Sequence, residues 1–239
     1  MSALPSVAKY CYWVEQRQSI VCQTQLGRSM SPENITAYFT RTDKTFAFAR
    51  WGRPIAPIVF GVEDETLGLV KSAIEVVTAL ANHSMAETDS ELGSNMMIFF
   101  FREWKELCEV PKLDQIVSEL GALTLKLEKA QANQYRFFRF DEAGGIKACF
   151  IFVRMDEHLN AVSAETLCLS QIVQSILLWS DCAFQITSPL ALMPNGGTIL
   201  RPEIGELIRA AYDPALAVYS DQPSHALRMF ARMQSQSAV

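Results

Sequence analysis

The chain is poor in the residues that the simplest site chemistries require. Histidine occurs three times, at 83, 158 and 225. No two of these stand one helical turn apart, so the HExxH spacing that puts two imidazoles and an activating carboxylate on one helix face is missing. The cysteines at 11, 22, 108, 149, 168 and 182 contain no CxxC. The glycines form neither GxGxxG nor GxxxxGK[ST], which removes the usual phosphate-cradling loops, and there is no GxSxG nucleophile elbow. No dense basic block occurs, and 21 basic against 26 acidic residues leave a net charge of -5. Nucleic acid is therefore not an expected partner, because neutralising phosphates needs a concentrated positive surface. The nearest approach, Arg136, Arg139, Lys147 and Arg154, reads as strand faces with solvated ends. No apolar run nears the ~18 residues of a membrane span, so none is expected. The opening MSALPSVAKY also lacks the apolar run of a secretion signal. The expected location is cytoplasmic, or periplasmic if a signal has been trimmed from the N-terminus.

What is present is the composition of a folded protein: 49% apolar and 20% charged residues over a length of 239, enough to bury a sizeable core. One domain spanning 1–239 is expected, with 188–239 as a helical, loop-rich C-terminal subdomain. The patterning predicts an α/β or α+β fold, with a mixed sheet and covering helices. Residues 7–26 suggest a peripheral hairpin with Cys11, Trp13 and Cys22 partly inward. Strands are expected at 55–60, 96–101, 135–140 and 146–153, the last two joined as a hairpin through the turn at 141–145. Pro57 lacks a backbone donor and suits an edge strand. Helices are expected at 65–82 behind an Asp64 cap, from Pro111 to just before Gly121, at 203–211 and after Pro223. Leu123, Leu125 and Leu127 alternate with polar residues and suit either a strand or a helix.

The stretch 163–179 carries the strongest apolar helical pattern. Leu169, Ile172, Val173, Ile176 and Leu177 share a face, with Gln171, Gln174 and Ser175 off it. Cys149 in the preceding strand and Cys168 on this helix read as buried free thiols. An even number of cysteines leaves disulfides, including Cys11 to Cys22, as the alternative.

Four segments in order, RWGRPIAPIVFG at 50–61, CFIFV at 149–153, ETLCLSQIVQSILLWSD at 165–181 and LIRAAYDPAL at 207–216, resemble an uncharacterised proteobacterial family with metzincin-like metalloprotease topology. Many members of that family are exported. The resemblance covers 50–216 as the protease-like portion. In metzincins a helix and its following turn present HExxHxxGxxH. Laid on that pattern, Ser170 and Gln174 stand in place of the first two metal-binding histidines and Gln171 in place of the catalytic glutamate. Leu177 replaces the turning glycine, and Ser180 the third histidine. Neutral serine and glutamine supply neither imidazole donation nor a carboxylate base. The resemblance thus implies a metzincin-like scaffold whose usual site is degenerate, with no metal or other cofactor.

Two readings of function follow. The first is a non-catalytic protein- or peptide-binding protein, with a groove among the central helix, the sheet edge containing Pro57 and the 188–202 loop; a homo-oligomer is left open. The second is a hydrolase with a relocated acid/base or metal centre drawing on Asp156, Glu157, His158, Glu165 and His225.

Overall fold

The computed structural model describes residues 30–117, 119–194 and 196–236, together with Cys11–Tyr12. Of the hairpin expected over 7–26, only Cys11–Tyr12 therefore falls within the described residues, where it forms strand β1. Trp13 and Cys22 lie outside them.

A mixed sheet of five strands runs through the middle. Its order is β1, β5 (Gln134–Phe140), β6 (Ile146–Arg154), β4 (Met96–Phe101) and β3 (Pro57–Phe60). β3, β4 and β6 are parallel, whereas β5 pairs antiparallel with both β6 and β1. Strands buried on both faces read as unbroken apolar runs, and MMIFFF and ACFIFV do so. Pro57 sits at the start of the edge strand, where its missing donor costs nothing.

The period-2 alternation divides the core between the two faces. Met96, Ile98, Cys149, Ile151 and Val153 point to one side. There they meet α2 (Asp64–Leu80), α6 (Ala164–Val173), α7 (Pro202–Ala211) and α8 (Ser224–Gln236). Phe99, Phe101, Phe150 and Phe152 point to the other, against a 3₁₀ segment (Trp104–Glu109), α3 (Leu113–Ile116) and α4 (Leu120–Lys129). The remaining elements are α1 (Pro32–Phe39), β2 (Phe48–Ala49), α5 (Glu157–Asn160), the β7 (Leu190–Leu192) and β8 (Thr198–Leu200) hairpin within the turn-rich 188–202 stretch, and β9 (Tyr219–Ser220), which pairs with β2. Ser31 caps α1, accepting from the Asn34 amide while the Asn34 side chain accepts from the Ser31 amide. Among the described residues no helix is long and apolar enough to cross a membrane.

Three local expectations need correction. The residue before α2 is Glu63 rather than Asp64, and it makes no side-chain cap bond. The single helix expected to stop before Gly121 is two: α3 ends at Ile116, Glu119 takes a left-handed conformation with φ 57°, and α4 runs through Gly121. Leu120, Thr124 and Leu127 are buried at helical spacing, which decides the ambiguous 123–127 stretch as helix. Finally, α6 stops at Val173, well short of Trp179.

Candidate functional site

The early end of α6 has a tertiary cause. The Ser175 carbonyl accepts from Trp51 Nε1 at 3.0 Å, and the Ile176 carbonyl accepts from the Tyr212 hydroxyl at 2.8 Å. The Leu178 amide donates to the Ala49 carbonyl at 2.9 Å, and Leu177 bridges to Arg50. Residues far away in sequence thus take the groups that would have continued the helix. The chain turns at Gln174, which brings Ser180 back beside it, although Leu177 stands where the resemblance would put a turning glycine.

The polar residues from the second half of α6 into the turn after it do not face solvent. Ser170, Gln171, Gln174 and Ser175 are all buried. They meet the α6-facing side of β5, which carries Gln134, Arg136 and Phe138. Arg136, only 2% exposed, donates from Nη2 to Gln171 Oε1 at 2.5 Å and to Gln134 Oε1 at 3.3 Å. Its Nε donates to Ser175 Oγ at 3.2 Å. Gln171 Nε2 closes the triangle onto Gln134 Oε1 at 2.8 Å, and Gln174 Nε2 donates to Ser170 Oγ at 2.9 Å. A cavity of about 20 Å³ lies against Arg136, Phe138, Gln174, Trp179 and Ser180. Burial lowers the Arg136 pKa to about 10, with only the neighbouring Cys149 opposing it. The same burial pushes the Cys149 thiol up to about 12 despite the guanidinium.

Zinc does not fit this arrangement. At the four positions the resemblance assigns, the side chains are hydroxyls and amides already bonded within the protein. A guanidinium holds the amide oxygen of Gln171, where the catalytic glutamate would stand, and its charge would repel a divalent cation. Among the described residues, no group of three His, Cys, Asp or Glu side chains is placed to hold a metal ion.

The residues of the relocated-centre reading are dispersed among ordinary roles. Asp156 caps α5 through the Leu159 amide and accepts from Asn133. Glu157, His158 and Glu165 are exposed, whereas His225 is fully buried. His83 Nε2 donates to the Arg53 carbonyl at 2.9 Å, and burial lowers its pKa. Cys108, Cys149, Cys168 and Cys182 are free thiols. Burial and Glu165 hold Cys168 at about 11, so it is protonated and inert at neutral pH.

His225 lies 4.4 Å from Phe48, centroid to centroid, and neither ring nitrogen has a hydrogen-bond partner. Desolvation, then Arg228 and Arg50, lower its pKa from 6.5 to about 4. The unfolded chain therefore binds the proton more readily. The stability of the neutral form is complete above the unfolded pKa and lost as pH falls towards 4. About 2 kcal/mol should disappear between pH 7.5 and pH 5. Urea midpoints across that range should fall in the wild type, and the His225→Phe variant should lack this share of the fall.

Two larger depressions remain. One, of about 460 Å³, is bordered by Arg53, Glu91, Asp141 and Lys147. Both of its cations are already paired, Arg53 with Asp89 and Glu91, and Lys147 with Glu91. Burial alone would raise the Asp89 carboxyl, but the Leu92 and Glu91 amides, Asn95 and Arg53 hold it at about 2. The other, of about 290 Å³, lies at the carboxyl ends of β3, β4 and β6, between Gly61, Glu63 and Thr66 at the start of α2 and Ala164, Leu167 and Cys168 of α6. In open sheets with parallel strands, this end is where ligand crevices form. Beside it, β3 has a strand neighbour on one side only among the described residues, and Ile58 and Phe60 are 39% and 43% exposed. Thr166 of α6 meets Thr198 of β8 through their hydroxyls at 2.8 Å, so the 188–202 loop also borders the central helix.

Sequence reading missed Gln134 and Arg136. The available signal was that QYRFFRF carries aromatics on both faces, so an arginine inside it has no solvated side. Comparison of the chain with protein-family models, with curated proteins and with solved structures finds no match.

Proposed function

We propose that the chain is a non-catalytic protein- or peptide-binding protein built on a degenerate metalloprotease-like scaffold. The observation that carries this reading is the open edge of β3 leading into the groove between the first turns of α2 and α6. An edge strand with unpaired backbone groups accepts an added strand, and neighbouring pockets select alternate side chains. The occupant is an extended segment of a partner protein with apolar side chains at alternate positions. One set packs on Ile58 and Phe60, and the end of the segment enters the groove past Gly61. The network around Arg136 supports the non-catalytic part, since the positions of the resembling motif are engaged in hydrogen bonds that leave no base and no metal ligand.

The test is selection of peptides from a displayed library on the full chain, followed by amide hydrogen exchange of the complex. A bound peptide should slow exchange at Ile58–Val62, and Phe60→Lys should weaken binding at least tenfold at unchanged fold. That size is expected because one centrally packed aromatic often carries about 2 kcal/mol or more of such an interface. Protection elsewhere, undiminished binding by Phe60→Lys, or no peptide retained would each count against the reading.

A further inference from the structure

The first turn of α8 is closed by an imidazole with nothing to bond. His225, the second residue of α8, is 0% exposed, and its ring centroid lies 4.4 Å from that of Phe48 in β2. Both ring nitrogens are buried, and neither meets a hydrogen-bond partner among the described residues. Ala226, Met229 and Met233 bury the rest of this helix face, and α8 packs on α1 and α7. It supplies no strand to the sheet, so it can part from the body without breaking a ladder. The charges acting on His225 are Arg228 of α8 and Arg50 just after β2, both positive. The start of a helix adds its own positive end. The carboxylates of this region are engaged or exposed. Asp213, after α7, pairs with Arg232 of α8 at 3.5 Å, and Asp221, before α8, accepts from the Gln222 amide group. On α7, Glu203 lies 3.9 Å from Arg201, and Glu206 and Arg209 are exposed. On α1, Glu33 is exposed, and Tyr38 is a neutral phenol against Trp179 and Phe184. The Tyr212 hydroxyl donates to the Ile176 carbonyl.

We propose that His225 is an acid-sensitive latch, whose protonation parts α8 from α1 and α7 while the five-stranded sheet stays folded. A ring without solvent access takes up a proton only when the helix lifts, and a charged ring closes again onto a site that faces two arginines. Lifting also gives both nitrogens to water, so this seam opens at lower cost than the sheet. The closed helix keeps the ring neutral down to about 4, whereas an exposed imidazole titrates near its usual 6.5. Opening is therefore insensitive to pH above about 7 and rises as pH falls below it. The open population should grow roughly 25-fold between pH 7.5 and pH 5. Opening bares the apolar face of α8 and the surface of α1 and α7 beneath it. The latch does not rest on the peptide reading.

Amide hydrogen exchange of the full chain, corrected for the intrinsic rate at each pH, tests the proposal. Amides at 227–233 should exchange through a cheaper opening than those of β6, with β6 better protected at every pH. The opening constant of α8 should stay level from pH 8.5 to pH 7.5 and then rise roughly 25-fold down to pH 5. In His225→Phe the rise should stay below about threefold. Exchange of α8 and β6 through one common opening, a constant that stays level down to pH 5, or the same rise in His225→Phe overturns the latch. Should His225→Phe fail to fold, the wild-type profile decides. A rise of about sevenfold from pH 6 to pH 5 marks the uptake of one proton by the opened ring and supports the latch. A rise of less than about twofold there, or one already under way above pH 7.5, overturns it.

Discussion

Gln171→Leu is expected to lower the unfolding free energy by about 3 kcal/mol, whereas Arg136→Met, one of its direct partners, should change it by only about 1 kcal/mol. The asymmetry follows from what each substitution leaves behind. Leucine removes the Oε1 that accepts from the guanidinium at 2.5 Å and the Nε2 that orients Gln134. A buried cation then faces apolar surface. Methionine instead removes the cation, and Gln171 and Gln134 keep the bond between them. Deleting the arginine also ends its desolvation cost, which offsets the hydrogen bonds lost. Urea unfolding measures both variants.

Trp51→Ala should cost more, about 4 kcal/mol, and Trp51→Phe about 1–2 kcal/mol. The indole is 1% exposed and donates to the Ser175 carbonyl, and the Trp51 amide donates to the Tyr212 hydroxyl at 3.3 Å. Alanine opens a cavity and frees the turn after α6. Phenylalanine keeps most of the packing but strands one buried carbonyl. Far-UV circular dichroism across a urea series reads both, and a Trp51→Phe cost as large as that of alanine would show that the hydrogen bond, rather than volume, dominates.

Much of the fold was legible because its determinants are local. The runs at 96–101 and 146–153 are apolar and β-branched or aromatic, which defines buried strands directly. Pro57 marked an edge through its missing donor. The end of α6 was not legible, since the apolar period continues through Leu177 and only Ala49, Trp51 and Tyr212, distant in sequence, divert the backbone. The polar residues of α6 misled for a similar reason. Gln171 and Gln174 lie off the apolar stripe, yet both are buried, and Gln171 bonds Gln134 and Arg136 on β5. Arg136 itself read as part of a sparse basic cluster, and the local sign of its burial was the aromatics on both faces of QYRFFRF.

At the candidate site, the positions aligned with the metalloprotease pattern do converge, Ser170 on Gln174, Gln174 with Ser180 at one cavity, and Gln171 on Arg136. The relocated-centre residues do not, since His158 and Glu165 are exposed and His225 sits buried against Phe48. Sequence spacing carried the first set because it lies on one helix and the turn after it. The second set needed long-range geometry that spacing cannot supply.

The central claim is that the buried polar residues of α6 and the turn after it are interlocked with the Arg136 guanidinium. The coupling energy between Gln171 and Arg136, from the two single variants and the double variant Gln171→Leu/Arg136→Met, tests it most directly. The expected coupling is about 2 kcal/mol, with Gln171→Leu costing little once the cation is gone. Additive costs, agreeing within about 0.5 kcal/mol, would contradict the network.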